Sequence, residues 1–395
     1  MNILVCPHEL AMGGSQINAI ELAAAVRDKG HNVTIAAPEG VLVSMINELK
    51  IDYVPICNRS YFPSMSTAFE LATLARRIKA DIVHSYEWRP AIECSFGPHL
   101  FGGQRMLATV LSMDISHLFP LHVPLIVGTR ELADMHPERR TWVLEPPIDA
   151  DRNKSTNVVK VREKWGCGES ELVISIVCRL TEDLDKLGGV LQAIDTIDDM
   201  AAELNIRLIV AGDGDGKPQV DAAAMAVNAR HKRTVVSVTG QLLDPREVYE
   251  LSDIVLGMGS SALKGMAFSK PLVVQGTNGF WRLFDEESIR LFLYQGFFGH
   301  GGDGVTALRS ILDGLANDPG RREALGRFGR MAVEQHFSLD LMANRLIEIY
   351  KRTVEAEQPL GVKMRSAGRS VVDLAKFRVV MGLRGVGRRT SGGAG

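Results

Sequence analysis

The sequence predicts an α/β protein of two doubly wound, Rossmann-like parallel-sheet domains facing one another across a cleft. Three observations carry that expectation. Short apolar or β-branched runs alternate with longer helical patterns, the grammar of parallel sheets. The alternation breaks off at the polar stretch DADRNKST (149 to 156) and then restarts. Glycine-rich turns recur directly behind the apolar runs, and 395 residues are more than one hydrophobic core serves. The expected boundaries are a first domain over 1–150, a junction over 151–170, a second domain over 171–337, a helix over 338–357 and a tail from 358.

In the first domain the candidate strands are NILVC (2–6), VTIAAP (33–38), YVPI (53–56), DIVHS (81–85), MLATVL (106–111) and PLIVG (124–128). Between the first two, residues 15–29 set Ile17, Ile20, Leu22 and Ala24 among polar neighbours, the pattern of a helix that covers a sheet with one side. The second domain repeats the scheme with VISIV (173–177), a helix near 189–203, RLIVAG (207–212), VVSVTG (235–240), DIVLG (253–257) and PLVV (271–274). Ligands of open α/β sheets bind outside the carboxyl ends of the strands, so the strand-end loops are where chemistry is to be sought.

Ser338 reads as the N-cap of a helix that carries Met342, Leu346, Ile349 and Tyr350 on one side, a packing face. Beyond Pro359, eight glycines and scattered arginines predict a poorly ordered tail. The run SVVDLAKFRVVM inside it suits a turn or two of helix, but its apolar residues do not keep to one face. Both a solvated tail and a membrane-surface contact fit that pattern.

Charge separates the same two regions. From 359 onward there are eight Lys or Arg and one acid, leaving 37 of the 45 basic and 46 of the 47 acidic residues before it. The mildly acidic body argues against a nucleic-acid partner. Cys6, Cys57, Cys94, Cys167 and Cys178 share no CxxC spacing and are odd in number, so neither a disulfide framework nor a zinc site is indicated. The chain opens straight into a strand pattern without a basic leader, and no apolar run approaches the roughly 18 residues of a membrane span. Cytoplasmic residence is the expectation, with membrane association through the tail as its extension.

Residues 253–274, DIVLGMGSSALKGMAFSKPLVV, combine a strand, a Gly-Met-Gly turn, two serines and a short helix. That order delivers backbone N–H groups at a helix start, where the dipole favours an anion. Gly259, Ser260 and Ser261 are the candidate donors, and an ordinary strand-to-helix turn is the plain alternative. In the first domain the loop PHELAMGGSQ places Gly13 and Gly14 immediately before a helix. It is either a second anion or sugar cradle or a tight turn made for packing, and it lacks the G-x-G-x-x-G spacing of dinucleotide binding.

Arg179 follows VISIV directly and Lys186 comes seven residues later, ahead of Gly188 and Gly189. Two cations so placed can converge on a diphosphate, or they can be a solvated pair among Glu182, Asp183 and Asp185. The glycine-rich AGDGDGKP (211–218) lacks the oxygen ligands of a calcium loop at its fifth and twelfth positions, where Lys217 and Ala224 stand, so it reads as a turn. His84 and Glu87 in HSYEW, and His117, are available to a sugar hydroxyl or to structural hydrogen bonds alike.

Taken together, MGGSQ, DIVHSYEW, PPID, CRLTEDLDK, VAGDGDG and the 253–274 stretch with its Lys-Pro ending resemble the retaining nucleotide-sugar glycosyltransferases of the large family four, from residue 1 to about 357. The resemblance implies the two-domain GT-B fold, with the acceptor on the first domain and the nucleotide sugar on the second. A helix such as 338–357 crosses back to the first domain in that family. By position, Arg179 and Lys186 would bind the donor diphosphate and stabilise the departing nucleotide. Gly13, Gly14, Gly259, Ser260, Ser261 and Lys264 would contact the donor.

His84, Glu87, Met113 and Asp114 would meet the acceptor or sugar. The donor would be of UDP or GDP type, the acceptor a small molecule or glycan, and the chemistry would run without metal or other cofactor. This chain departs from the family pattern where the paired glutamates would fall on Leu256 and Lys264, and where a His-Asp pair appears as Met113-Asp114. Those departures keep two other readings in view, a catalytically silent sugar-nucleotide binder or partner of an active transferase, and an epimerase on the same fold.

Overall fold

The computed structural model describes residues 1–57, 63–112, 114–357 and 359–390, the last thirteen of these by their backbone only. The chain divides into two compact units, Met1–Pro146 with Asp340–Gly395, and Pro147–Leu339.

The first unit is built on seven parallel strands, β1 (Asn2–Cys6), β2 (Asn32–Ala37), β3 (Asp52–Pro55), β4 (Ile82–Tyr86), β5 (Arg105–Val110), β6 (Leu125–Val127) and β7 (Thr141–Val143), in the order β3-β2-β1-β4-β5-β6-β7. The central strands β1, β4 and β5 are buried along almost their whole length, as in a parallel sheet covered on both faces. Leu4, Val83, Met106, Ala108 and Leu125 are fully buried there. Helix Gly14–Asp28 follows β1, and helix Met65–Arg77 is capped by Ser64, whose Oγ accepts from the Thr67 N–H at 3.2 Å. Strand β7 escaped the sequence reading: TWV is three half-buried residues at the sheet edge, too short for a periodic signal.

The second unit carries β8 (Leu172–Val177), β9 (Ile206–Ala211), β10 (Val236–Gly240), β11 (Ile254–Gly257), β12 (Leu272–Gln275) and β13 (Trp281–Leu283), in the order β10-β9-β8-β11-β12-β13. All pairings are parallel except β12 with β13. The antiparallel edge strand was not foreseen, since its residues alternate from buried to exposed over only three positions. Its indole fixes it instead: Trp281 Nε1 donates to Gln192 Oε1 at 2.9 Å, on helix Lys186–Met200.

Strand order reverses at β1/β4 in the first sheet and at β8/β11 in the second. These are the topological switch points, where the loops part to opposite faces and leave a crevice at the strand ends.

Helix Leu339–Glu355 buries Met342, Leu346, Ile349 and Tyr350, and from Asp340 it belongs to the first unit. The segment behind it corrects the expectation of a disordered tail, because it is a helix over Leu360–Thr390. No proline interrupts it, Arg369 and Lys376 pair with Asp373 from the turns before and after it, and its inner side packs on the first unit through Ala367, Leu374 and Phe377. Among the described residues no helix is long and apolar enough to cross a membrane.

Candidate functional site

At the β8/β11 switch point the chain leaves β8 through Cys178 and Arg179 and runs over the AGDGDG turn of the neighbouring strand. The Leu180 N–H donates to Asp213 O at 2.9 Å, and the Gly216 N–H returns to Leu180 O at 2.9 Å. A side chain at Gly212 would collide with Cys178 O, and one at Gly214, whose φ is +150°, with Leu180 O. The AGDGDGKP glycines therefore exist to let two backbones touch, in agreement with its reading as a turn.

Leu184 and Asp185 follow in left-handed conformation with φ of 55° and 56°. Two successive non-glycine residues there cost about 1–3 kcal/mol each, so the surroundings must hold them. They do: the Asn278 N–H donates to Asp185 Oδ2 at 3.0 Å, and Gln275 Nε2 donates to Asp185 O and Lys186 O at 3.2 and 3.3 Å. Lys186 thus begins its helix in a fixed place, with a side chain only 12% exposed.

Arg179, with a side chain 66% exposed, and Lys186 meet on one group. Arg179 Nη2 lies 3.5 Å from Asp183 Oδ2, and Lys186 Nζ is in direct contact with the same oxygen. Thr181 Oγ1 donates to the other oxygen of that carboxylate. Burial alone would raise the Asp183 carboxyl, but the Lys186 and Thr181 hydrogen bonds and the two positive charges hold it below the usual range. Cys178, half-buried beside this loop, is desolvated enough to push its thiol up to about 12 against the pull of Lys186. It is an inert floor rather than a nucleophile.

On the neighbouring strand end, Met258 is extended and Gly259 opens helix Gly259–Ala267 with φ +54°. The Gly259 N–H is taken by Phe297 O at 2.8 Å, and Ser261 Oγ donates back to Met258 O at 3.0 Å. That corrects two expected contacts: the Gly259 amide and the Ser261 hydroxyl are already engaged within the fold. The N–H groups of Ser260 and Ser261 meet no acceptor among the described residues. Lys264, half-buried, lies one turn on from Ser260, and helical side chains lean toward the N-terminus, which directs it to the same end. It has no ion-pair partner among the described residues. Leu256, where the family resemblance places a carboxylate, is fully buried in the core.

The first unit offers a different arrangement at β1/β4. Gly13 caps helix Gly14–Asp28 in extended backbone, and the N–H groups of Gly14 and Ser15 face no acceptor among the described residues. Gln16 closes the loop, its Nε2 donating to Glu9 Oε1 at 3.0 Å. Glu87, left-handed with φ 67°, gathers three strand ends: its Oε1 accepts from the Leu111 N–H at 3.1 Å and from Ser15 Oγ at 3.4 Å, and its Oε2 from Ser112 Oγ at 3.4 Å. Glu87 organises the loops that frame the crevice.

His84 is not there. Its ring is 1% exposed inside the first unit, with Nδ1 2.7 Å from the Tyr350 hydroxyl and Nε2 2.7 Å from Thr109 Oγ1. Burial holds it neutral, near a pKa of 3, and both nitrogens are satisfied, so it is a structural tie and not a substrate contact. Asp114 and His117 are exposed, and Met113 lies outside the described residues. No cluster of three or more His, Cys, Asp or Glu side chains among the described residues could hold a metal ion.

Of the three acids that the sequence sets around the two cations, Asp183 is the one both reach; sequence reasoning missed Gln275 and Asn278, which brace the loop. A polar residue closing an otherwise apolar strand, as in LVVQ, was the available signal for Gln275.

No family model matches the chain. An uncharacterized glycosyltransferase of Methanocaldococcus jannaschii is 24% identical over 217 residues, 53% of this chain and 52% of that protein. The chain therefore spans about half the length of the curated relative it matches. A glycosyltransferase from Rickettsia africae superposes with a TM-score of 0.74 at 18% identity, over 90% of this chain and 99% of the other. Anabaena HepE in complex with UDP does so with a TM-score of 0.69 at 15% identity, over 89% of this chain and all of the other. Two parallel-sheet α/β units in this order are the GT-B fold of such structures.

Proposed function

We propose that the protein is a nucleotide-sugar glycosyltransferase of the family-four type, transferring a sugar from a UDP- or GDP-type donor to an acceptor hydroxyl with retention and without a metal ion. The observation that carries this reading is the β8/β11 switch point. Arg179 and Lys186 share one anionic position, and the Ser260 and Ser261 amides and the Lys264 ammonium, without a partner among the described residues, stand at the adjoining helix start. A diphosphate would take the place of the Asp183 carboxylate between the two cations and supply the acceptors that the Ser260 and Ser261 amides and Lys264 lack among the described residues.

Arg179 and Lys186 would hold the β-phosphate side of the donor. Ser260, Ser261 and Lys264 would take the remaining oxygens. As the bond from the anomeric carbon to the phosphate oxygen breaks, charge grows on the diphosphate, and these fixed donors stabilise it. The acceptor oxygen then bonds to that carbon on the face the diphosphate leaves, and its proton passes to the departing phosphate oxygen. HepE, solved with UDP and with UDP-glucose, is a neighbour in fold whose bound molecules are of this donor class.

The buried Leu256 favours a second reading, a sugar-nucleotide binder without turnover. Thermal unfolding with UDP, GDP and their sugar conjugates tests binding: saturation at about 100 times Kd adds about 2.7 kcal/mol. Absence of any shift would sink both readings. Sugar transfer onto an acceptor panel separates them, and nucleotide-sugar conversion without acceptor would reveal epimerisation. We place the chain in the cytoplasm, with its basic C-terminal segment as a peripheral membrane contact.

A further inference from the structure

We infer that the outward side of helix Leu360–Thr390 is a docking face for an anionic lipid bilayer. The helix has two apolar sides, which is why its apolar residues keep to no single face. One side is spent on the protein: Ala367 and Leu374 are buried, Phe377 meets Trp88 edge-on at 5.8 Å, and Ser366 Oγ accepts the His122 N–H at 3.2 Å.

The other side is uncovered. Met364, Val371 and Val372 are 60%, 54% and 52% exposed. At the pitch of an α-helix they fall within an arc of about 100°. Arg365, Arg369 and Lys376, all exposed, border that arc. Apolar residues flanked by cations on a docked, non-spanning helix are what a membrane surface with negative headgroups accommodates.

Charge decides among the occupants. The sequence from 359 has eight basic residues and one acid, while the body before it is acidic, with 37 basic against 46 acidic residues. A second copy of the helix would set cations against cations. A nucleic acid would neutralise them but leave Met364, Val371 and Val372 in water.

The face extends the peripheral contact proposed above and is separable from sugar transfer, since vesicle binding and nucleotide binding are read independently. The full chain is sedimented with phosphatidylcholine vesicles with and without phosphatidylglycerol, at low and high salt. We expect binding only where phosphatidylglycerol is present, weakened at least tenfold by high salt. Val371→Asp with Val372→Asp should reduce it at least tenfold while melting temperature and nucleotide protection stay as in wild type, and Arg365→Glu with Lys376→Glu should act likewise. Wild-type protein that ignores anionic vesicles, or a double-aspartate variant that binds like wild type, overturns the proposal. So does a concentration-dependent dimer that the aspartates dissolve, which would assign the face to a second copy.

Discussion

Arg179 and Lys186 reach the same oxygen, Oδ2 of Asp183, the first at 3.5 Å and the second in direct contact. Two cations are held together against their own repulsion only when an anion sits between them, and the carboxylate is that anion when no ligand is present. A bound diphosphate would have to displace it. Asp183→Asn removes the competitor and keeps the shape, so UDP or GDP should bind more tightly, by up to roughly tenfold, or about 1.4 kcal/mol. Titration calorimetry on the two proteins decides it, and weaker binding by the asparagine variant would count against the placeholder role.

Truncating the cations should act in the opposite direction. Arg179→Ala and Lys186→Ala each remove a charged hydrogen bond of about 1.5–3 kcal/mol, or roughly 10- to 150-fold in affinity for the diphosphate. Affinity for the bare nucleoside should stay unchanged, because the base and ribose do not meet these groups. Equal losses for nucleoside and diphosphate would mean a general disturbance of the loop.

Lys264 has no ion partner among the described residues, so its positive charge contributes little to folding. Lys264→Ala is expected to leave the melting temperature within a degree or two, on the usual scale of about ±0.5 kcal/mol for such sites. Donor affinity should fall several-fold. A variant that binds donor like wild type would remove Lys264 from the site.

How much of this could be read beforehand depended on the range of the forces involved. The strands from NILVC to PLVV announced themselves because burial on both sides of a parallel sheet leaves a run of apolar residues in the sequence. Arg179, Lys186 and Ser260 were legible because strand-end position alone brings them to the switch point. His84 was misjudged for the converse reason: its partners Tyr350 and Thr109 are 266 and 25 residues away, and a strand-end histidine looks the same in sequence whether it faces a crevice or a helix. The Gly259 amide likewise looked free until Phe297, from a distant loop, supplied its acceptor. The tail defied its composition because glycine content speaks of the isolated chain, while Ala367 and Leu374 are fixed by a surface elsewhere in the fold.

Gly189 links the brace to the site. A Cβ there would drive into the amide of Gln275, which ties down Asp185 and Lys186 from beneath. Because Gln275 is buried at the end of β12, it has little room to retreat. Gly189→Ala should therefore cost about 1–3 kcal/mol as an overpacked core site, despite the gain in helix propensity. Nucleotide affinity should drop as well, since Lys186 loses its anchor. Urea unfolding paired with calorimetry checks both, and a variant as stable as wild type would show that Gln275 can move aside.

The first unit should be sensitive to mild acid, for a reason that can be assigned to particular rings. Burial holds His84 near a pKa of 3, and His99 and His122 near 4, the last two also under the positive charge of Lys363. An unfolded histidine protonates near 6.5, so between that pH and the folded values the unfolded chain binds more protons than the folded one. Stability is therefore complete above about pH 6.5 and falls as the pH drops, by about 1.4 kcal/mol per pH unit for each ring, until the folded pKa is reached. Replacing His84 with glutamine, which can still bond Tyr350 and Thr109, should lessen the slope between pH 6.5 and 4.5 by about one proton, and urea unfolding across that interval measures it. A stability that stays level from pH 7 to 4.5, or a slope untouched by His84→Gln, would show that the buried ring is not the titrating group.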